Sequence, residues 1–495
     1  MPGAGSTARS YTGRMDRDSF RRHLEAPVGR GPAPDGAASG AAGGAACGDL
    51  VRISVRVEGE RVADASFAAS GCGAALAAGS AAVALVTGAP VLAAARVGPE
   101  AIDAELGGLS PAGRHAAELA ADALHRALGA AVAAGAALEP VAGRTLVAMS
   151  GGVDSAVAAL LCARGGADVA AVTLELWADA DNDGDRSCCS ASAVRGARAL
   201  AHRMGLAHLT LDLREAFRAG VVEPFLDDHR EGLTPNPCVR CNGHVRLDAM
   251  LDLAGRLGAS ALATGHYARV QATPTGPVLR LAADPAKDQS YMLAALRPPA
   301  LARLRFPLGE LTKPEVRALA AEAGLPVAAQ PDSQDLCFLA GTTRAAFLAR
   351  HGAIAAREGD IVDRDGAVLG RHRGHHEFTV GQRRGLGVAA GEPLYVLATD
   401  AQTNRVTAGP REALARSRVV VRGATLHRDG RAVDRVKLRY RSRALACRVA
   451  GTPAAGRHRR LELELSEAAD AVAPGQTACL MAGDLVVGHA TIAAA

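Results

Sequence analysis

The stretch TLVAMSGGVDSAVAALLCAR, residues 145–164, allows few folds. It opens with a short apolar run lacking polar alternation, the pattern of a strand buried on both faces of a parallel sheet. Two glycines break the run, and a helical spacing follows. The same alternation continues downstream. ADVAAVTLELW predicts a second strand, SAVRGARALAHRMGL a helix, LAHLTLDL a third strand and SALATGHYARV a fourth. Strands alternating with helices imply a doubly wound parallel sheet. At the first strand-to-helix turn, glycines let backbone approach a phosphate, and the helix N-terminus offers N–H groups and partial positive charge. Ser150 and Ser155 can donate hydrogen bonds, and Asp154 could cap the helix or hold Mg²⁺ beside phosphates. The turn lacks the GK[ST] of a Walker loop. The plainer alternative is a glycine-rich turn with an Asp cap.

The other segments differ in texture. Residues 1–46 are rich in Gly, Ala and Pro and carry no apolar period, so a disordered segment is expected. Over 47–132, LVRISVRV and VADASFAA alternate as antiparallel strands before two helical stretches, predicting a small α+β domain. Residues 133–143 are expected to be a linker, 144–289 the α/β unit and 290–356 a small helical domain containing KPEVRALAAEAGLP. Residues 357–495 are expected to form a C-terminal β-barrel of short strands and turns. Ten cysteines in 495 residues make no disulfide framework, and the polar opening predicts no secretory leader. A cytoplasmic protein without a membrane span is expected, with its thiols reduced.

TPNPCVRCN places Cys238 and Cys241 with two residues between them. That spacing alone suits a metal clip, a redox pair, or a nucleophile with a bystander. SGGVDS resembles the loop of the PP-loop ATPases (adenine nucleotide alpha hydrolase-like), which split ATP into AMP and pyrophosphate. With TPNPCVRCN, ATGHYARV, KDQSYML, PDSQDLCFL, FTVGQRRGLG and APGQTACL following in order, residues 144–495 resemble the tRNA-specific 2-thiouridylases of MnmA type. The resemblance implies ATP- and Mg²⁺-dependent exchange of sulfur for the 2-oxygen of the wobble uridine in tRNA. It makes Cys241 the nucleophile and Cys337 the persulfide carrier, the two ending each cycle as a disulfide. ATP would contact Ala148, Met149, Ser150, Gly151, Gly152, Val153, Asp154, Ser155, Leu174 and Gly265. The target base would lie beside Asn236, Pro237 and Cys238. Other tRNA contacts would come from His266, Lys287, Asp288, Gln289, Arg439, Tyr440 and Gln476. Cys238 stands where this family commonly has Asp. Three thiols at Cys238, Cys241 and Cys337 could instead hold a [4Fe–4S] cluster that carries the sulfide.

The front domain also carries a resemblance. Cys47-Gly48-Asp49, Ser70-Gly71-Cys72-Gly73 and the helix around His115 are similar to the IscU/NifU-type iron–sulfur scaffolds. Cys47, Asp49, Cys72 and His115 are the implied ligands for Zn²⁺ or an iron–sulfur cluster. Ala116 stands where the scaffold has a further cysteine. The domain would pass on sulfur or a cluster, dock a cysteine desulfurase or other sulfur-relay protein, or only pack. Two other functions are carried beside thiolation: another adenylating PP-loop synthetase, and an iron–sulfur carrier without enzymatic activity.

Net charge is only +5, so charge placement matters more than its sum. In VKLRYRSR, cations Lys437, Arg439, Arg441 and Arg443 alternate with apolar residues. On a strand they would line one face and suit an RNA backbone. Cys162, Cys447 and Cys479 sit in apolar contexts and are expected in the core, Cys188 and Cys189 in a loop.

Overall fold

Strand Thr145–Ala148 lies at the centre of a five-stranded sheet in the computed structural model, which describes residues 17–44, 48–179, 190–332, 336–470 and 472–494. Val169–Glu175 and Ala207–Asp212 extend the sheet on one side, Ala261–Thr264 and Leu304–Arg305 on the other. Every pairing is parallel. Chain order reverses beside Thr145–Ala148, so a crevice opens past its C-terminal end, where residues 150–155 lie. Val169–Glu175 is buried along its whole length, the cause of its apolar run Val169–Val172; its last residue, the buried Glu175, is paired with Arg126.

The separate helical domain expected over 290–356 is corrected by this topology. Leu304–Arg305 is an edge strand of the central sheet. The helix Lys313–Glu322 puts Val316 and Ala320 into the same core as Val153 and Val157 of the helix Val153–Arg164. Helical periodicity marks an apolar face but does not say which sheet covers it.

The disordered segment expected over 1–46 is corrected for residues 17–44. Arg17–Glu25 is a helix, and Ala38–Gly43 is a strand antiparallel to Leu50–Glu58, which pairs in turn with Arg61–Ser70. The Ala/Gly composition is a packing requirement. The helix Arg114–Ala134 crosses this sheet so closely that a Cβ on Gly40 would lie 2.3 Å from the Ala123 carbonyl oxygen. Side chains large enough to give an apolar period would not fit there.

The 133–143 segment is fastened to the α/β unit. Leu138 N–H donates to the Arg256 carbonyl at 2.7 Å and Val141 N–H to that of Gly258 at 3.0 Å. The front domain itself covers the edge strand Ala207–Asp212. His208 N–H donates to Ala95 O at 2.9 Å, and a His125 ring nitrogen lies 2.6 Å from His208 O. A Cβ on Gly129 would lie 2.0 Å from Thr210 O. Ion pairs fix the contact: Asp122 receives Arg198 at 2.5 Å and Arg195 at 3.4 Å, and Arg126 pairs with Glu175. Asp122 and Arg198 are almost wholly buried.

The expected C-terminal β-barrel is present, and the 357–495 range holds a second β unit ahead of it. Gly359–Val362, Val368–His372, Tyr395–Asp400 and Arg405–Gly409 form a four-stranded sheet. Arg416–Leu426, Arg435–Lys437, Leu445–Val449, Gly456–Ala469, Thr477–Ala482 and Leu485–Ile492 form a barrel, closed where the first strand pairs with the last. The hairpin Arg269–Gln271/Val278–Arg280, leaving the five-stranded sheet just after Tyr267, adds to the barrel strand Leu485–Ile492. Among the described residues, no helix is long and apolar enough to cross a membrane.

Candidate active site

The loop after Thr145–Ala148 is shaped by its small residues. Gly151 has φ +77°, a left-handed conformation that favours glycine. Ser155 Oγ accepts from Ser150 N–H at 3.1 Å and donates to Gly152 O at 3.0 Å, closing the loop on itself. Gly152 is the N-cap of the helix Val153–Arg164 and provides no side-chain cap, which leaves first-turn N–H groups for an anion. Gly265, at the end of Ala261–Thr264, backs onto this loop; a Cβ there would lie 2.8 Å from Ser155 N.

Asp154 does not cap its helix. Its carboxylate receives Lys313 Nζ at 2.8 Å and the Tyr267 hydroxyl at 2.8 Å. Burial and the Asp154 charge raise the Tyr267 pKa, keeping the phenol protonated as a donor. Lys313 also lies 2.7 Å from Asp332, which receives Lys287 at 2.7 Å and Arg317 at 3.0 Å. Burial opposes ionisation of Asp332, yet hydrogen bonds and charge from Lys287 and Lys313 hold its carboxyl down at about 2. Lys313 therefore ties the phosphate loop to the segment leading to Cys337.

Cys238 and Cys241 sit three residues apart on one face of the helix Pro237–His244. Asn236 caps that helix by accepting Val239 N–H at 3.3 Å. The barrel holds the loop before it: Gln476 donates to Thr234 O at 2.9 Å, and Thr234 N–H donates to Pro474 O at 2.8 Å.

A cavity of about 1400 Å³ joins these parts. It is lined by all ten positions implied for ATP, by Cys241 and Cys337, and by Pro237, Cys238, His266, Lys287, Gln289 and Tyr440. Asn236, Asp288, Arg439 and Gln476 lie outside its wall. Asp288 is buried, receiving Ala282 N–H and the Ser290 hydroxyl. The cation row of VKLRYRSR is corrected: the strand ends at Lys437, and the chain turns with Ser442 N–H donating to Arg439 O at 3.2 Å. Lys437 then faces Asp288 at 3.6 Å, Arg443 pairs with Glu467, and Arg441 joins Tyr440 at the cavity.

Several cavity residues escaped the sequence reading. They are Arg246, Tyr267 and Asp332, with Arg96, Gly98, Glu100 and Ala101 from the front domain; Lys313 stands just behind the wall. The capping box of Thr312 and Glu315 marks the helix start, but nothing local shows that Lys313 crosses to Asp154.

Among the described residues, no three His, Cys, Asp or Glu side chains converge as a metal site. This holds for Cys238, Cys241 and Cys337, which share the cavity without converging on a cluster. In the front domain Cys72 Sγ donates to Asp49 at 3.3 Å, and Asp49 also accepts Cys72 N–H at 2.7 Å. His115 is not joined to that pair in a ligand group, and Cys47 lies outside the described residues. Cys188 and Cys189 also lie outside them. Cys162, Cys447 and Cys479 are core thiols, pushed up by burial to about 11, about 12 and about 12.

Residues 15–133 match the NifU-like N terminal domain and 143–341 the tRNA methyl transferase HUP domain. Residues 345–410 match the tRNA methyl transferase PRC-barrel domain and 424–492 the aminomethyltransferase beta-barrel domain. A bifunctional protein NifU/MnmA of Rubrobacter xylanophilus is 43% identical over 486 residues, covering 95% of this chain and 97% of its own length. The chain belongs to the NifU/MnmA family. A tRNA-specific 2-thiouridylase MnmA of Rhodospirillum centenum is 45% identical over 357 residues, 70% of this chain and 90% of its own. Another, from Acidithiobacillus ferrooxidans, is 44% identical over 352 residues, 70% and 97%. The order of domain matches in this NifU/MnmA chain follows the architecture described above.

Proposed function

We propose that this chain is a tRNA-uridine 2-sulfurtransferase that consumes ATP and leaves AMP and pyrophosphate. The observation that carries the reading is one cavity shared by the phosphate loop, Cys241 and Cys337. A pyrimidine carbonyl oxygen is a poor leaving group, and adenylation makes it one. The uridine 2-oxygen attacks the α-phosphorus as N3 loses its proton, and pyrophosphate departs with the electron pair of the broken bond. The terminal sulfur of a Cys337 persulfide then adds at C2, and AMP leaves with the C–O pair. Cys241 thiolate attacks Sγ of Cys337, forming a disulfide and releasing the thiocarbonyl. A dithiol reductant resets the pair, and a cysteine desulfurase or sulfur-relay protein reloads Cys337.

The cavity wall supports this order. Apolar residues such as Met149, Leu174, Phe217 and Phe338 limit water, which would otherwise hydrolyse the adenylate. Tyr440 offers a ring for the base, with the Arg441 guanidinium 6.0 Å from its centroid. The test is mass analysis of tRNA nucleosides after incubation with ATP, Mg²⁺ and sulfide. Wild type should yield 2-thiouridine, and Cys241→Ser and Cys337→Ser should each abolish it. Undiminished product from either variant would reject the two-cysteine scheme. ATP consumption without tRNA dependence would reject the substrate.

A further inference from the structure

Arg246, the first residue of the helix Arg246–Arg256, is a cation without an acidic counterion in the cavity wall. Its one hydrogen bond runs from Nη2 to His266 Nε2 at 2.8 Å; its buried Nε has no hydrogen-bond partner. No carboxylate among the described residues pairs with it. Lys287 and Lys313, by contrast, are matched by Asp332 and Asp154. A guanidinium has five donors and stays charged at every working pH, so this one is built for a partner that arrives.

His266 fixes where it points. Burial and the Arg246 charge push the His266 pKa down to about 3, so the ring is neutral. Arg246 can only donate, which makes Nε2 the acceptor and leaves the proton on Nδ1, where it donates to Thr264 Oγ1 at 2.7 Å. His266 follows Gly265, the residue pressed against the phosphate-loop backbone at Asp154 and Ser155. Arg246 is also only five residues beyond Cys241. The unpaired guanidinium therefore shares one cavity wall with the phosphate loop and the thiols.

We infer that Arg246 takes the non-bridging oxygens of the nucleotide α-phosphate, with His266 as its positioning residue. This rests on the adenylating reading above. Charge grows on those oxygens as the uridine 2-oxygen attacks and pyrophosphate leaves, and the same phosphate departs with AMP when sulfur adds. A preorganised cation at that point stabilises both steps.

The experiment compares full-length wild type, Arg246→Met, Arg246→Lys, His266→Phe and His266→Gln for tRNA-dependent pyrophosphate release, Mg–ATP binding and tRNA binding. Arg246→Met should lower the rate of pyrophosphate release about 100-fold or more. Its Kd for Mg–ATP and for tRNA should stay within about threefold, since the ground-state triphosphate is held mainly by the loop. Added guanidinium ion should restore part of the rate, which a folding defect would not permit. His266→Gln, which keeps an acceptor, should retain more activity than His266→Phe. Pyrophosphate release at the wild-type rate in Arg246→Met would overturn the inference. So would a loss explained by weaker tRNA binding, which would assign the arginine to the RNA backbone. If wild type itself releases no pyrophosphate with tRNA, the adenylating reading has failed, a result distinct from either.

Discussion

Replacing Asp122 by Ala tests how firmly the front domain is docked. Asp122 lies on the helix Arg114–Ala134 and Arg198 on the helix Ala191–Arg203; their side chains are 4% and 3% exposed. Removing the carboxylate leaves a guanidinium buried beside the His125, His202 and His208 rings, which are neutral and cannot compensate it. Breaking a buried pair on one side costs about 3–5 kcal/mol. At about 2–4 °C per kcal/mol for units of this size, the docked assembly should melt at least ~6 °C lower. Differential scanning calorimetry should resolve an early transition, and protease should cut within 133–143, where hydrogen bonds to Arg256 and Gly258 are then lost. The double variant Asp122→Ala/Arg198→Leu removes both charges and should recover most of the loss. A single transition within 1 °C of wild type for Asp122→Ala, with 133–143 still protected (~1 °C being well under the shift worked above), would refute the claim that this pair holds the interface.

Three other outcomes follow from the same contacts. Docking should weaken in acid: the His125 pKa is depressed by burial to about 3, so its stabilising contribution is full above its unfolded value and is lost as pH falls from about 6.5 towards 3. At pH 5.5 that residue alone accounts for about 1.4 kcal/mol, readable as a pH-dependent early transition. Lys313→Met should slow pyrophosphate release and move the acid limb of the stability curve upward. Asp332, held at about 2 in the wild type, then loses one of its two lysines; the contribution at stake is about 1 kcal/mol after screening, read by urea titration from pH 5 to pH 2.5. Gly40→Val should cost about 1–3 kcal/mol by forcing a side chain against the Ala123 carbonyl and Arg126, measured as a lower urea midpoint.

The parts legible in the sequence are those whose chemistry is local. SGGVDS, following an apolar run, announces a glycine-rich strand-to-helix turn open to a phosphate, though not that Asp154 leaves its helix uncapped. The apolar run Val169–Val172 announces a strand buried on both faces. The cysteines of TPNPCVRCN and QDLCFL stand in short stretches that carry the family resemblance. What stayed hidden depends on chain that returns from far away. Arg246 reads as an ordinary polar first-turn residue until His266 is seen beside it. Lys313 reads as a solvated lysine until it meets Asp154, 159 residues earlier. The Ala/Gly run at 38–43 looks featureless because its role is to be small. The cations of 437–443 appear to share a strand face because alternation cannot show that the chain turns after Leu438.

The covered edge of Ala207–Asp212 bears on what happens if the two halves are produced as separate polypeptides. The thiolating half would then display an open rung at His208 and Thr210, flanked by an orphaned guanidinium at Arg198 and the two imidazoles of His202 and His208 newly bathed in solvent. Such a rim invites a second copy to zip onto it. Covalent joining thus acts as a built-in stopper against self-association, a benefit the larger half receives whether or not its companion handles sulfur.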